Sequence, residues 1–190
     1  MTGKDLDIPG DFLRFKEILN HFLYIFTHIT IIMIHKIRRS ERAITNQDEI
    51  NAIIKSEKFM TIAMCASNEP YLVTLNYGYD SIERCFYFHC AVEGKKLDIL
   101  RQNPVVWGQI IQDRGYIVGD CSHAYSSVEF HGKVSLLNGV LEKKNALSFM
   151  IDRLEPDPER VKETFVINKD LGKVLAGRID VDAFSGKKAH

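Results

Sequence analysis

Two adjacent lysines stand where a helix is predicted to begin. The stretch YFHCAVEGKKLDIL, residues 87–100, passes from a β-strand pattern through Gly94 into Lys95 and Lys96, and then into helical periodicity. Cations at this position oppose the helix dipole, because the first turn carries partial positive charge and unpaired amide donors. A bound anion, with phosphate as the obvious candidate, would make the arrangement favourable. The alternative is that both lysines extend into solvent.

Other residues could complete an anion site or perform chemistry beside it. Ser126 and Ser127, on a later predicted strand, could donate hydroxyl hydrogen bonds. His89 could be a proton donor, a metal or haem ligand, or a core histidine bonded to the backbone. The motifs GxGxxG, GxxxxGK[ST], HExxH and GxSxG do not occur in the sequence. Dinucleotide-fold, P-loop, zinc-protease and serine-hydrolase sites therefore lack their usual sequence support.

The composition excludes further classes of protein. The chain has 190 residues, with 25 basic and 25 acidic side chains, so no net charge would attract nucleic acid or an acidic membrane. This length suits one domain with a full core. The four cysteines, Cys65, Cys85, Cys90 and Cys121, have neither CxxC nor zinc-ribbon spacing. We therefore expect reduced thiols and no metal site.

The N-terminal segment is apolar but short. Residues 22–34, FLYIFTHITIIMI, are fewer than the ~18–20 apolar residues that span a bilayer, and no secretory cleavage signal accompanies them. We expect a helical extension over residues 1–36, packed on the domain or on a partner subunit, in a cytoplasmic protein. Interfacial membrane contact is the alternative. A true start at Met33 is a further possibility.

The elements that must position these residues begin with a helix. Thr45, followed by acidic residues, predicts an N-cap, and Ile50, Ile53 and Ile54 form the apolar stripe of the helix. From Phe59 onward, short β-rich runs broken by turns predict antiparallel strands joined by hairpins.

The second half of the chain continues this mixed pattern. YSSVEFHGKVSLL, residues 125–137, alternates between an apolar face that includes Val128 and Phe130 and a polar face that includes Ser127. Two helices and a last strand are predicted after it. The irregular order of helices and strands differs from βαβ alternation and predicts an α+β fold, mainly β with peripheral helices, built on an antiparallel barrel.

These stretches resemble a known family, the pyridoxamine 5′-phosphate oxidase-like FMN-binding split barrels, and within it the nitroimidazole-resistance (Nim-type) branch. The resemblance covers roughly residues 37–188 and is carried by IRRSERAIT, YLVTLNYGYD, YFHCAVEGKKLDILRQNP, YSSVEFHGKV and IDVDAFSGKK in the family order. It implies an FMN-binding split-barrel domain over 37–190 and a homodimer with two FMN sites at the subunit interface, whereas residues 1–36 have no counterpart in the family.

The resemblance also implies the residues of the site. Lys95, Lys96 and Ser127 would bind the FMN phosphate. The isoalloxazine ring and ribityl chain would be lined by Val73, Thr74, Leu75, Asn76, His89 and Ala91. The implied activity is that of a flavin-dependent oxidoreductase that reduces a small acceptor such as a nitro compound, with His89 polarising or protonating the acceptor as the catalytic residue.

Two alternatives to this activity stay open in the sequence. The first is a flavin or haem carrier without turnover of its own, in which His89, His123 or His131 could bind haem. The second is oxidation of pyridoxamine 5′-phosphate itself, although the sequence has no basic cluster obviously free for a second phosphate.

Overall fold

The structure, a computed structural model, describes residues 37–189. This part of the chain forms eight β-strands: Ala43–Ile44 (β1), Phe59–Ala66 (β2), Glu69–Asn76 (β3), Gly78–Asp80 (β4), Cys85–Ala91 (β5), Val105–Ile117 (β6), Ser122–Leu137 (β7) and Val174–Ala189 (β8). It also forms four α-helices: Gln47–Ser56 (α1), Lys95–Gln102 (α2), Val140–Leu154 (α3) and Pro158–Lys162 (α4). The predicted extension over residues 1–36 lies outside the described residues, so the division of the chain at residue 37 stays a prediction.

The strands form one antiparallel sheet that curls into a barrel. Their order is β3-β2-β6-β7-β8-β5-β4, and β1 pairs with β8. The hairpin between β2 and β3 turns at Ser67 and Asn68, both with positive φ, at 51° and 64°. Two consecutive left-handed residues are typical of the tight turn that matches the twist of two paired strands. The prediction of an antiparallel, mainly β fold with peripheral helices is confirmed.

The barrel interior is filled by aromatic rings. The centroids of Phe86 and Phe130 lie 4.4 Å apart in a stacked pair, and Tyr79 lies 4.8 Å from Phe86. Gly108, on β6, lies directly under Phe130, so that a Cβ atom at this position would overlap the ring. The predicted alternation of β7 is confirmed, because Val128 and Phe130 are buried inside the barrel.

Helix α1 covers one side of the barrel through the predicted stripe. Ile50, Ile53 and Ile54 are buried, and the Tyr77 hydroxyl donates a hydrogen bond of 2.7 Å to the Ile54 carbonyl. The prediction of Thr45 as N-cap is wrong by one residue. The Asn46 side chain instead accepts hydrogen bonds from the amides of Asp48 and Glu49, at 2.7 and 3.3 Å, because the helix begins at Gln47.

The barrel is open along one seam. Among the described strands, β3 pairs only with β2, and β4 pairs with β5 only along residues 85–87. Residues 88–91 of β5 therefore pair with β8 on one side only, and β5 approaches β3 without pairing with it. We call the space between β3 and residues 88–91 the strand gap. Helix α2 follows β5 directly and begins at one end of this gap, whereas α3 lies over β4 and β5.

Within residues 37–189, no helix is long and apolar enough to cross a membrane.

Candidate functional site

The strand gap is bordered on the β3 side by backbone rather than by side chains. The side chains of Val73 and Leu75 pack against the core. Those of Thr74 and Asn76 lie on the exposed face, where Thr74 Oγ1 is 3.1 Å from Thr61 Oγ1 and Asn76 Nδ2 donates to the Lys58 carbonyl at 3.0 Å. Along the gap, the backbone of β3 exposes a row of amide N–H and carbonyl groups that pair with no strand among the described residues. Such a row can bind the polar edge of a planar ring.

Helix α2 supplies positive charge at the end of the gap. Its N-cap, Gly94, has φ 132°, a conformation that favours glycine, and no side chain that the structure describes caps the helix. The amides of Lys95 and Lys96 belong to the first helical turn and have no backbone acceptor among the described residues. These donors and the helix dipole together favour an anion.

The two lysines of α2 differ in their partners. Lys95 Nζ donates to Glu69 Oε1 at 2.9 Å and lies 5.1 Å from the centre of the Tyr71 ring. This hydrogen bond raises the pKa of Lys95 and lowers the pKa of Glu69. Lys96 has no carboxylate partner among the described residues. The ammonium group of Lys96 is therefore available to an incoming anion, whereas that of Lys95 must be shared with or released from Glu69.

His89 lies on the outer face of β5, between the strand gap and helix α3. Although its side chain reaches solvent, the surrounding protein lowers the pKa of its imidazole, and the charges of Lys96 and Lys169 lower this pKa further. The ring has no hydrogen-bond partner in the described part of the chain. A neutral imidazole without a protein partner can donate to, or accept from, a bound molecule. Ala91 ends the same strand, next to α2.

Ser127 lies elsewhere in the same chain. It pairs with Lys187 on β8, whereas His89 pairs with Ala176 near the other end of that strand. These two positions are 11 residues, or roughly 36 Å, apart along β8. Ser127 lines a separate depression on the outer sheet face, together with Gln109, Ile111, Asp113, His123, Tyr125, Glu129 and Lys187. One chain therefore brings Lys95, Lys96, His89, Ala91 and the β3 backbone together, but does not add Ser127 to them.

Ser126 and Ser127 point to opposite faces of β7. Ser126 is buried inside the barrel, and its hydroxyl has no hydrogen-bond partner among residues 37–189. The expectation that both hydroxyls could serve one anion is wrong, because successive strand residues alternate between the two faces of a sheet.

The other candidate haem ligands are held by carboxylates. His123 Nε2 lies 2.6 Å from Asp113 Oδ1, and His131 Nδ1 lies 2.9 Å from Asp182 Oδ2. Within residues 37–189, no group of three or more His, Cys, Asp or Glu side chains is arranged to hold a metal ion.

Sequence reasoning did not find two groups that the structure places near the predicted residues. Lys187 lies beside Ser127, and its Nζ is 5.9 Å from the centre of the Tyr125 ring. Its place in the basic C-terminal sequence was the only available signal. Lys169 lies near His89, at the edge of a cavity under α3. No local sequence pattern links Lys169 to His89, since the two residues are 80 positions apart in the chain.

This fold is that of the split-barrel class of flavin-binding proteins. It is an antiparallel barrel that is open along one seam, and a helix with a basic first turn begins at the end of the opening. The family model for pyridoxamine 5′-phosphate oxidase matches residues 46–188, and the chain belongs to this family. Flavin binding is typical of the family. No curated protein matches the chain significantly.

Solved structures with the same fold are distant in sequence. A protein from Bacteroides thetaiotaomicron, provisionally assigned to 5-nitroimidazole antibiotic resistance, is 23% identical, with a TM-score of 0.63 over 77% of this chain and 86% of its own. An FAD and haem binding protein from Mycobacterium smegmatis is 17% identical, with a TM-score of 0.65 over 78% and 74%. An FAD-binding protein from Mesorhizobium loti is 22% identical, with a TM-score of 0.55 over 78% and 98%. These similarities establish the fold.

Proposed function

We propose that this protein binds FMN in the strand gap and uses it to reduce a small acceptor such as a nitro compound, as a member of the nitroimidazole-resistance branch of its family. The observation that carries the proposal comes from the described part of the chain, where the β3 backbone is unpaired, the start of α2 is uncapped and Lys96 has no carboxylate partner. A phosphate dianion at this helix start would accept charge-assisted hydrogen bonds from both lysines and from their amides.

The proposed cofactor is FMN rather than FAD because the cationic helix start suits a terminal phosphate. A phosphomonoester carries close to two negative charges and presents three acceptor oxygens, which the two ammonium groups and two amides can bind together. The Mycobacterium smegmatis and Mesorhizobium loti proteins are described as binding FAD. The identity of the released flavin distinguishes these two cofactors.

When bound, the flavin would supply the electron-transfer chemistry. The chain's own residues would bind and orient it: Lys95 and Lys96 at the phosphate, the backbone of residues 73–76 at the ring and ribityl chain, and Ala91 beside them. His89 would bind the acceptor. Its lowered pKa keeps the imidazole neutral near pH 7, so that the ring can donate one hydrogen bond to an acceptor oxygen without repelling the lysines.

Replacing His89 with alanine is expected to lower kcat for reduction of a nitroaromatic acceptor by about 100-fold, because the group that polarises the acceptor is lost. The flavin content, measured from the absorption spectrum, is expected to stay unchanged, since the phosphate contacts remain. His89→Gln keeps a hydrogen-bond donor and is expected to retain part of the activity. Unchanged turnover in the alanine variant would remove His89 from the mechanism.

We further propose that the protein acts as a homodimer, with Ser127 contributed to each flavin site by the other copy. The outer face of β2, β3 and β6 carries five exposed apolar side chains, which we call the outer apolar face: Phe59, Leu72, Val105, Trp107 and Ile111, between 42% and 64% exposed. A contiguous exposed apolar patch of this kind is typical of a protein interface. The Ser127 depression shares Ile111 with this face, so a copy packed here would also cover Ser127.

Trp107→Glu is expected to convert the dimer into a folded monomer with weakened flavin binding, because burying the new carboxylate in the interface is unfavourable. Light scattering after gel filtration measures the mass, and fluorescence titration measures flavin affinity. Ile82→Glu is the matched control, since Ile82 is equally apolar and is exposed in the turn after β4. A wild-type monomer, or a dimer that survives Trp107→Glu, would contradict the proposed interface.

A further inference from the structure

A second cavity lies under the helices on the other side of His89. Its volume is about 360 Å³, within the range of small-molecule sites in proteins. Eight apolar side chains line it: Leu147, Met150, Ile151, Leu154, Val161, Phe165, Leu171 and Val174. The polar residues of its lining are His89, Glu155 and Lys169. We call this space the helix cavity.

The helix cavity follows from how the chain continues after α4. Residues Glu163–Ile167 form a π-helical turn, closed by a hydrogen bond of 3.1 Å from the Asn168 amide to the Glu163 carbonyl. The wider turn buries Val166 against Leu147 and Leu171, whereas the Phe165 ring stays half-exposed at the cavity edge. Single π-helical turns inside helices occur frequently at functional sites.

One ammonium group, that of Lys169, belongs to the lining of the helix cavity. Lys169 Nζ lies 4.9 Å from the centre of the Phe165 ring and has no carboxylate within ion-pair distance among the described residues. Lys96 is outside the cavity lining, but its charge also lowers the pKa of the His89 imidazole. Glu155 is the one carboxylate of the lining in the described part of the chain. The polar lining of the helix cavity therefore consists of one ammonium group without an ion-pair partner, one imidazole and one carboxylate in the described part of the chain.

We infer that the helix cavity binds a small amphipathic monoanion, with its apolar chain or ring among the α3 and α4 side chains and its carboxylate between Lys169 and His89. An apolar lining with a few convergent polar groups at one end favours a ligand of this build, because the lining buries the hydrocarbon part while the mouth pairs with the charge. This site is separate from the proposed flavin site, and the two share only His89.

Calorimetric titration of the flavin-loaded full-length protein with three eight-carbon probes tests this inference. Octanoate is expected to bind with one site per chain, more tightly than octan-1-ol, and octylamine is expected to bind most weakly. Because the three probes share one hydrocarbon chain, the differences between their affinities measure the effect of the charge at the cavity mouth. Absence of octanoate binding, or octylamine binding as tightly as octanoate, would overturn the inference.

Two variants locate the binding. Lys169→Met is expected to weaken octanoate binding about tenfold and to leave octan-1-ol unchanged, since one charge-assisted contact is lost. Lys55→Met, on the exposed side of α1, is the control and is expected to change neither probe. Val161→Trp fills the cavity and is expected to abolish binding of all three probes, while the flavin spectrum reports that the protein stays folded and loaded. Unchanged octanoate affinity in both Lys169→Met and Val161→Trp would show that the probe binds elsewhere.

Discussion

Lys96→Glu is expected to lower the affinity for FMN by at least about 100-fold, because it replaces a charge-assisted hydrogen bond to the phosphate with repulsion at the start of α2. The expected loss of affinity is large because the ammonium group of Lys96 has no carboxylate partner among the described residues and is free to bind the phosphate. Quenching of FMN fluorescence on titration with apoprotein measures the dissociation constant.

Two comparisons make this prediction specific. Lys55→Glu introduces the same change of charge on α1, next to Ile54, which contacts Tyr77 at the opposite end of β3 from Glu69 and Lys95. It is expected to leave the dissociation constant within about twofold, because exposed charges at a distance are screened. Lys95→Gln is expected to weaken binding less than Lys96→Gln, since Lys95 already shares its charge with Glu69 at 2.9 Å. Equal affinities of Lys96→Glu and the Lys55→Glu control would place the phosphate elsewhere.

Gly108→Ala is expected to destabilise the protein by about 2–3 kcal/mol, measured as the free energy of unfolding in urea. At a strand position with space for a methyl group, the same substitution stabilises the folded protein, because alanine lowers the conformational entropy of the unfolded chain. Here the added methyl group would overlap the Phe130 ring, which is held from its other side by Phe86 at 4.4 Å. Steric overlap therefore outweighs the gain in the unfolded state.

The Phe130→Leu background tests the cause of this destabilisation. Phe130→Leu alone is expected to lower the free energy of unfolding, because the smaller side chain leaves a cavity in the core. In that background, Gly108→Ala is expected to be close to neutral, because its methyl group occupies part of the space that the ring leaves. A double-mutant cycle measures this coupling. Additive free energies would contradict the proposed contact between Gly108 and Phe130.

Local patterns predicted the parts of the fold that depend on periodicity. The alternation along β7 predicted that Val128 and Phe130 face the core, and the i, i+3, i+4 stripe of α1 predicted its three buried isoleucines. The N-cap was misplaced by one residue, since Thr45 and Asn46 are both competent caps and only the backbone geometry selects between them.

The parts of the site that depend on closing the barrel could not be predicted. Lys95 and Lys96 look alike in sequence, but the β2–β3 hairpin brings Glu69 to Lys95 alone. The distance between Ser127 and His89 depends on the register of β8 with both β5 and β7. Local sequence patterns do not indicate such long-range registers, and they do not indicate the approach of Lys169 to His89 either.

The central claim is that the strand gap holds FMN. The most direct test is to purify the protein, record its absorption spectrum, denature it and identify the released small molecule by mass spectrometry. We expect flavin absorption bands and the mass of FMN, at close to one flavin per chain. A protein that releases no flavin and takes up none from added FMN, or one whose spectrum is that of haem alone, would contradict the claim.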